Sequence, residues 1–212
     1  GYVHKSIEKI AEGRDPEAVS RLAVRVSGDT TVAHAWAACL AMEKAAGIEV
    51  PPRALMLRAI MAERERVANH LGDIGVICND VAFSFSFYQF GRLREEWQRL
   101  SHGAFGHRFM MDRVVPGGVS ADLDALAIEA MRTQGSGVRQ ELDKLVAIQN
   151  ELSSLEDRLA TTGYLSPELA ATLGCQGYVG RASGVDFDLR RDAPYAPYDR
   201  LTVPVPCYRY GD

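Results

Sequence analysis

Arg25-Val-Ser-Gly-Asp-Thr-Thr-Val-Ala-His34 is the stretch from which the architecture of the chain can be worked out. A short helical segment precedes it, and two long runs with a helical pattern follow it. Small polar residues between helices mark a site more often than a core. Ser27 or Asp29 would also be a suitable N-cap for the following helix. The stretch is therefore either a simple helix cap or the centre of a functional site.

Two long helices are predicted after this stretch. The first covers residues 30–46, because apolar side chains recur at helical spacing and Gly47 suits its C-terminal end. The second begins at Pro51-Pro52 and continues to about Cys78, which at 1.5 Å per residue makes it roughly 40 Å long. Long helices with an apolar side pack against one another, so this pair predicts the centre of a helical bundle.

A row of polar residues lies on the second helix, with Glu63, Arg66, His70 and Asp73 at spacings of three, four and three. Such a row is by default a solvated face. Between helices, however, its charges must be paired, and we expect Glu63 and Arg66 to be buried and hydrogen-bonded. Carboxylate and imidazole both exchange protons, while Arg66 would hold Glu63 ionised. The row is therefore either a structural ion pair or a proton path.

The later part of the chain predicts more helices and then an irregular segment. Residues 80–173 predict an aromatic-rich helix within 80–103, a loop at 104–119, a helix from Ser120 to 132, and a long helix after 135–137 that ends at Gly163. From Gly174 onward, five glycines and four prolines favour irregular structure with short strands at most. The predicted fold is mainly α: a helical bundle with long central helices over residues 1–173, and a Gly/Pro-rich segment, 174–212, packed on it.

The composition limits the functional classes to which the chain can belong. The chain has 212 residues, 47% of them hydrophobic, and a net charge of -4, which suits one globular domain and argues against a nucleic-acid partner. No apolar run approaches roughly 18 residues, so no direct membrane span is predicted. The four cysteines are widely spaced, which predicts buried free thiols. The chain begins with Gly1 rather than Met, so we expect a fragment of a longer protein.

The opening stretch resembles one family in particular: the large subunits of energy-converting nickel–iron hydrogenases and the hydrogenase-like large subunit of respiratory complex I (NADH-quinone oxidoreductase). In the hydrogenases it reads Arg-Val-Cys-Gly-x-Cys, with Ala-His a few residues on. Ser27 and Thr30 stand at the two cysteine positions of this chain. Further family motifs follow in order along the chain: Gly1-Tyr-Val-His-Lys-Ser-Ile-Glu-Lys9, Met42-Glu-Lys with Gly47-Ile-Glu-Val-Pro-Pro-Arg-Ala54, Glu63 to Leu71, Gly180-Arg-Ala-Ser-Gly184 and Asp188-Leu-Arg-Arg191.

The resemblance implies a large-subunit-like component of a membrane-associated redox complex, which forms the scaffold of a redox or quinone cavity. A hydroxyl cannot replace a bridging thiolate at a soft metal site, so we expect no metal and no cofactor in this chain, and no activity of the isolated chain. Expected partners are an iron–sulfur small subunit and membrane-arm subunits, with quinone at their interface. The expected location is cytoplasmic, on the inner face of the membrane. The alternatives are a true nickel–iron hydrogenase subunit and a non-redox helical interaction module.

The resemblance also selects candidate site residues. Glu63, Arg66, His70 and Glu8 form the candidate proton path, in which His4 and Glu8 are either its entrance or a solvated pair. The position of the quinone-contacting tyrosine of complex I falls near Gly28, so quinone chemistry stays open. The candidate cavity or partner-facing residues are His4, Ser27, Gly28, Asp29, Thr30, His34, Arg181, Asp188, Arg190 and Arg191. We expect the regions 25–31 and 180–191 to lie near each other on one partner-bound face.

Overall fold

The computed structural model describes residues 4–208 and has two compact units, Gly1–Glu151 and Leu152–Asp212. The Gly1 end of the first family motif lies outside the described residues. The fold is 64% helical, which confirms the predicted mainly α class. The helices of the first unit are α1 (Ile7–Ala11), α2 (Pro16–Ala23), α3 (Thr31–Ala46), α4 (Pro52–Asp80), α5 (Ser84–Phe105) and α6 (Ala125–Asn150). Those of the second are α7 (Ser153–Leu159), α8 (Pro167–Thr172), α9 (Gly177–Ala182) and α10 (Leu189–Asp192), followed by a 3-10 turn at Tyr198–Arg200.

Local signals explain where several helices begin and end. The Asp15 side chain accepts a hydrogen bond from the Ala18 amide, and Pro16 occupies the first helical position of α2. Gly47 has φ +65° and ends α3, a conformation that glycine adopts without steric cost. The predicted ends at these positions are confirmed.

The α4–α5 hairpin forms the core of the first unit. Leu71 of α4 packs with Phe90 and Leu93 of α5, and Val138 and Leu145 of α6 complete the cluster. Gly75 lets α5 approach closely, because a Cβ there would lie 3.2 Å from the Phe90 Cβ.

A short hairpin connects α5 to α6. Its strands β1 (Val114–Val115) and β2 (Gly118–Val119) pair antiparallel, with Val114 opposite Val119. Gly117 supplies the turn with φ +80°. The sequence predicts only a loop here, because two-residue strands carry too little alternating pattern to be recognised.

Three predictions from the sequence are wrong for α6. The helix does not break at 135–137 but runs unbroken from Ala125, and Asp124 rather than Ser120 caps it. A glycine inside a helix costs about 1 kcal/mol relative to alanine. Packing of Val138 and Leu142 on the core cluster offsets that cost. The helix ends instead at Asn150, with Glu151 as its C-cap, well before the predicted end at Gly163.

The C-terminal segment also differs from its prediction. Short helices, α9 and α10, occupy the region where short strands were expected, and no strand occurs within residues 152–208. Asp188 explains α10, since its side chain caps the helix by accepting a hydrogen bond from the Arg190 amide. A one-turn helix has too few residues to show helical periodicity, so the sequence pattern could not reveal it.

Burial of the cysteines matches the prediction in part. All four are free thiols; Cys39 and Cys78 are buried, Cys175 is half-buried and Cys207 is exposed. Cys39 of α3 lies in the core, where burial raises the pKa of its thiol to about 11. Within residues 4–208, no helix combines the length and the apolar character needed to cross a bilayer.

Candidate functional site

The start of α3, where the opening stretch of sequence ends, is held by a carboxylate from another helix. Glu65 of α4 accepts hydrogen bonds from the Val32 amide at 2.6 Å and the Ala33 amide at 3.0 Å. The expected caps are wrong: Thr30 occupies the N-cap position, and no side chain of the loop itself caps the helix. A carboxylate at a helix N-terminus satisfies exposed amides and meets the positive end of the helix dipole.

Glu65 is a buried group that can carry a proton. It is 7% exposed, and burial raises its pKa, while the bonds from Val32, Ala33 and Thr31 oppose that rise. The Thr31 hydroxyl oxygen lies 2.5 Å from the Phe109 carbonyl oxygen and 3.2 Å from Glu65. The Thr31 hydroxyl can donate its one hydrogen to either of these acceptors.

The loop before α3 is bound to the same face of α4. One turn beyond Glu65, the Asn69 side chain donates to the Asp29 carbonyl oxygen at 2.8 Å. The His34 ring folds back on the loop, where its Nδ1 lies 2.8 Å from the Thr30 carbonyl oxygen and 2.9 Å from the Thr30 hydroxyl. His34 is half-buried, so it acts here as a hydrogen-bonded packing residue.

The turn that follows α5 closes the site from the opposite side. Arg25 forms two bonds of 3.0 Å to the carboxylate of Asp112, and this contact lowers the pKa of Asp112. His107 Nδ1 lies 3.2 Å from the Phe109 amide nitrogen and accepts its hydrogen bond. The turn therefore has a defined shape, and Arg25 attaches it to the start of the loop.

The N-terminal segment reaches this loop through a lysine. Lys5 Nζ donates to the Val26 carbonyl oxygen at 2.7 Å. His4 Nε2 and Glu8 lie 3.9 Å apart, and both side chains are mostly exposed, which favours the solvated-pair interpretation. Ser27 is half-buried and Gly28 is exposed.

The predicted polar row is formed but is not buried. Arg66 Nε donates to Glu63 at 3.0 Å, yet each side chain is 38% exposed. His70 and Asp73 are exposed. The predicted hydrogen bond is thus confirmed and the predicted burial is wrong. Packing against α3 and α5 determines which side of α4 faces inward. The polar row lies at the edge of that buried side.

The charges that α4 does bury include Arg64, which sequence reasoning missed. Arg64 is 4% exposed and donates to the Trp97 carbonyl oxygen at 2.6 Å and to Ser101 Oγ at 2.9 Å. Its guanidinium lies 4.1 Å from the centre of the Trp97 ring, and burial lowers its pKa to about 10. A signal was available: Met61, Arg64 and Ala68 share one helical stripe.

A second buried arginine of α4 holds the hairpin. Arg58 is fully buried and binds both carboxylate oxygens of Glu43, at 2.6 and 3.0 Å. It also donates to the carbonyl oxygens of Val115 and Gly118, while the Gly117 amide donates to Glu43 at 2.7 Å. Burial alone would raise the pKa of Glu43, but these bonds outweigh it and leave the pKa lowered.

The predicted C-terminal residues form their own ion cluster within the second unit. Asp188, 6% exposed, pairs with Arg181 at 3.1 Å and Arg190 at 2.9 Å. The bonds from Arg190 lower the pKa of Asp188 to about 2. Arg191 is not part of this cluster and pairs with Asp186 and Asp192 near the surface.

The loop does not have the donor set of a nickel–iron centre. The cysteine positions of the hydrogenases carry the hydroxyls of Ser27 and Thr30, and the Thr30 hydroxyl is bound to His34. Hydroxyls are hard, weakly acidic ligands, whereas that centre needs thiolates. Within residues 4–208, no three His, Cys, Asp or Glu side chains meet in an arrangement that suits a metal ion.

Comparison with known protein families identifies the family of this chain. The family described as "Respiratory-chain NADH dehydrogenase, 49 Kd subunit" matches residues 80–212, which is more than half of the chain. The chain belongs to this family. The family described as "Nickel-dependent hydrogenase" matches residues 5–72, so the loop and all of the polar row except Asp73 lie in the hydrogenase-like part of this 49 kDa-type chain. The ordered motifs therefore reflect a true relationship.

Individual relatives of this 49 kDa-type chain come from several complexes. An NADH-quinone oxidoreductase subunit of Salinispora arenicola is 39% identical over 100% of this chain and 55% of its own length. The carbon monoxide-induced hydrogenase of Rhodospirillum rubrum is 33% identical, with 100% and 59% covered. Formate hydrogenlyase subunit 5 of Escherichia coli is 35% identical, with 96% and 36% covered. The chain thus spans about half the length of the first two relatives.

A solved structure shares the fold. One chain of the membrane-bound sulfane sulfur reductase, an archaeal respiratory membrane complex, matches with a TM-score of 0.93 and 25% identity. The match covers 100% of this chain and 57% of that one. Both compact units therefore have counterparts in a respiratory complex.

Proposed function

We propose that this chain is the large-subunit-like component of a membrane-associated redox complex of the NADH-quinone oxidoreductase or energy-converting hydrogenase type. Its loop before α3 contributes the scaffold of a redox or quinone cavity and has no nickel–iron centre. Its partners are an iron–sulfur small subunit and membrane-arm subunits, which hold it at the inner, cytoplasmic face of the membrane. The loop at 25–31 and the region 180–191 face these partners. Quinone binds at the interface between the subunits of the complex.

One observation carries this proposal: the chain keeps the loop of this family and has hydroxyl side chains at the positions of the metal-binding thiolates. Hydroxyls replace the thiolates at Ser27 and Thr30, and the α3 amides that point toward the loop are bound by Glu65. The loop is held both by α4, through Asn69, and by the turn after α5, through Asp112. The family relationship supports the same conclusion.

Purification of the full-length protein from its native membranes tests the proposal. We expect it to copurify with integral membrane subunits and with a subunit that gives iron–sulfur signals in electron paramagnetic resonance. We expect NADH- or hydrogen-linked redox turnover by the complex and no stoichiometric nickel in this subunit. Recovery as a lone protein that has no redox partner would contradict the proposal.

We propose further that Glu63, Arg66 and His70, with Glu8 as a candidate entrance, form a proton path beside this cavity, in which Glu63 and His70 exchange protons and Arg66, which does not give up its own proton, positions Glu63. The half-buried Glu63–Arg66 pair supports the idea, because solvent reaches the carboxylate. Glu63→Gln should assemble normally and lose proton-coupled turnover. Glu141→Gln is the matched control, since Glu141 also pairs with an arginine and is 44% exposed. Normal turnover per assembled Glu63→Gln complex would rule out the path.

A further inference from the structure

A small cleft lies between α4, α5, the loop before α3 and the turn after α5. The apolar residues Ala68, Phe109 and Met110 form part of its lining, and its polar lining comes from Asp29, Arg64, Glu65, Asn69, Gln98, Ser101 and Arg108. The space inside admits about one water molecule. The cleft is therefore too small for an organic ligand and is lined by groups that form hydrogen bonds.

Gln98 supplies a buried donor to this cleft. The residue is 4% exposed, and its Oε1 accepts a bond from Arg108 Nη2 at 2.6 Å. That bond fixes the orientation of the amide, because the opposite orientation would place two donors together. Its Nε2 is consequently a donor, and it has no hydrogen-bond partner within the described chain. A buried donor without an acceptor destabilises a fold.

Acceptors line the same cleft. Glu65 Oε1 accepts one bond within residues 4–208, from the Ala33 amide, and a carboxylate oxygen can accept two. The Asn69 side chain donates through its nitrogen to the Asp29 carbonyl oxygen. Among the described hydrogen bonds, the side-chain oxygen of Asn69 accepts none. One water molecule needs two to four such polar partners to be held in a protein interior.

The charges around the cleft disfavour a bound ion. Glu65 and Asp29 oppose an anion, and Arg64 of α4 and Arg108 of the turn oppose a cation. His34 is the titratable group that faces Glu65 from α3. The helix α5 lines the cleft with the neutral Gln98 and Ser101, and its Arg94 and Glu95 pair with Asp29 and Arg108. A neutral ligand that both donates and accepts hydrogen bonds fits this arrangement.

We propose that the cleft binds one water molecule, which accepts a hydrogen bond from Gln98 Nε2 and donates one to Glu65 Oε1. Asp29 and Arg108, which line the same cleft, have side chains that reach solvent. Glu65 can then exchange its proton while its bonds to the α3 amides stay formed. Burial raises the pKa of Glu65. The water site does not depend on the redox role.

A high-resolution crystal structure of the full-length protein tests the site directly. We expect one solvent peak within hydrogen-bond distance of Gln98 Nε2 and Glu65 Oε1. A repacked Gln98 whose Nε2 binds a protein acceptor would overturn the proposal. So would a larger density, which would identify a different ligand.

Thermal unfolding of variants gives an independent test. Gln98→Met removes both the bond from Arg108 to Oε1 and the bond from Nε2, whereas Arg108→Met removes only the first of these two, so the difference in Tm between the variants reports on Nε2. Loss of the bond to water should lower the Tm by about 2–4 °C. Gln89→Met, on the same helix and bonded weakly to Arg92, is the matched control and should change little. An unchanged or higher Tm for Gln98→Met relative to Arg108→Met would show that Nε2 has no partner in the native protein.

Discussion

Two glutamate–arginine pairs involve the same helix and have different surroundings. The Glu43–Arg58 pair lies in the interior with side-chain exposures of 3% and 0%, whereas both side chains of the Glu63–Arg66 pair are 38% exposed. Both pairs join a carboxylate to a guanidinium at hydrogen-bond distance. The extent of burial determines how much the fold depends on each pair, because a charge in the interior is strongly destabilising once it loses its partner.

The buried pair satisfies this requirement through several partners. Arg58 binds Glu43 and two carbonyl oxygens of the hairpin, and Glu43 also binds the Gly117 amide. The network attaches the hairpin to α3 and α4. The Glu63–Arg66 pair is in contact with solvent, which screens its interaction. The fold therefore depends on the first pair, and the second can be altered with little loss of stability.

Breaking the buried pair should produce the largest effect. Glu43→Gln leaves the Arg58 charge without a carboxylate and should lower the free energy of unfolding by about 3–5 kcal/mol. Urea denaturation followed by circular dichroism measures the change. The double variant Glu43→Leu with Arg58→Met should recover part of the loss, because it removes both charges together. A Glu43→Gln variant as stable as the parent would show that the pair does not hold the hairpin.

Acid should affect the second unit by an intermediate amount. The folded-state pKa of Asp188 is lowered to about 2, so the stability it contributes is fully present above about pH 4. That contribution, about 2 kcal/mol, is lost as the pH falls from about 4 through about 2. Acid titration of the circular dichroism signal measures it. Asp188→Asn should abolish this component, and Asp186→Asn, at a carboxylate 60% exposed, should leave it in place.

Breaking the half-exposed pair should produce the smallest effect. Glu63→Gln should lower the free energy of unfolding by less than about 1 kcal/mol, since exposed pairs contribute about 0.2–1 kcal/mol. Urea denaturation under the conditions used for Glu43→Gln compares the two pairs directly. A loss as large as that for Glu43→Gln would remove the distinction between them.

The difference between the two pairs also shows where prediction from sequence failed. Glu63, Arg66 and His70 stand out as a row at helical spacing, and the sequence places them correctly on one helix. It does not reveal which side of α4 faces inward, because that depends on α3 and α5 together. Arg64, one position from the predicted row, is the residue that the two neighbouring helices bury.

The loop before α3 gives a similar lesson at the candidate site. The motif around Ser27 and Thr30 identifies the family and the place of the site. A local rule selects Asp29 or Ser27 as the helix cap, since such residues often bind the amides that follow them. The carboxylate that does so is Glu65, more than thirty residues away in sequence. No local pattern could indicate it.

The sequence by itself determined the helical class, the ends of helices with local caps such as Asp15 and Gly47, and the family. These features depend on interactions within one or two turns of chain, or on the order of motifs along it. The tertiary structure alone decided the continuity of α6, the buried partners of Arg58 and Arg64, and the capping of α3 by Glu65. Those features depend on desolvation, and a charge is desolvated only when segments distant in sequence pack around it.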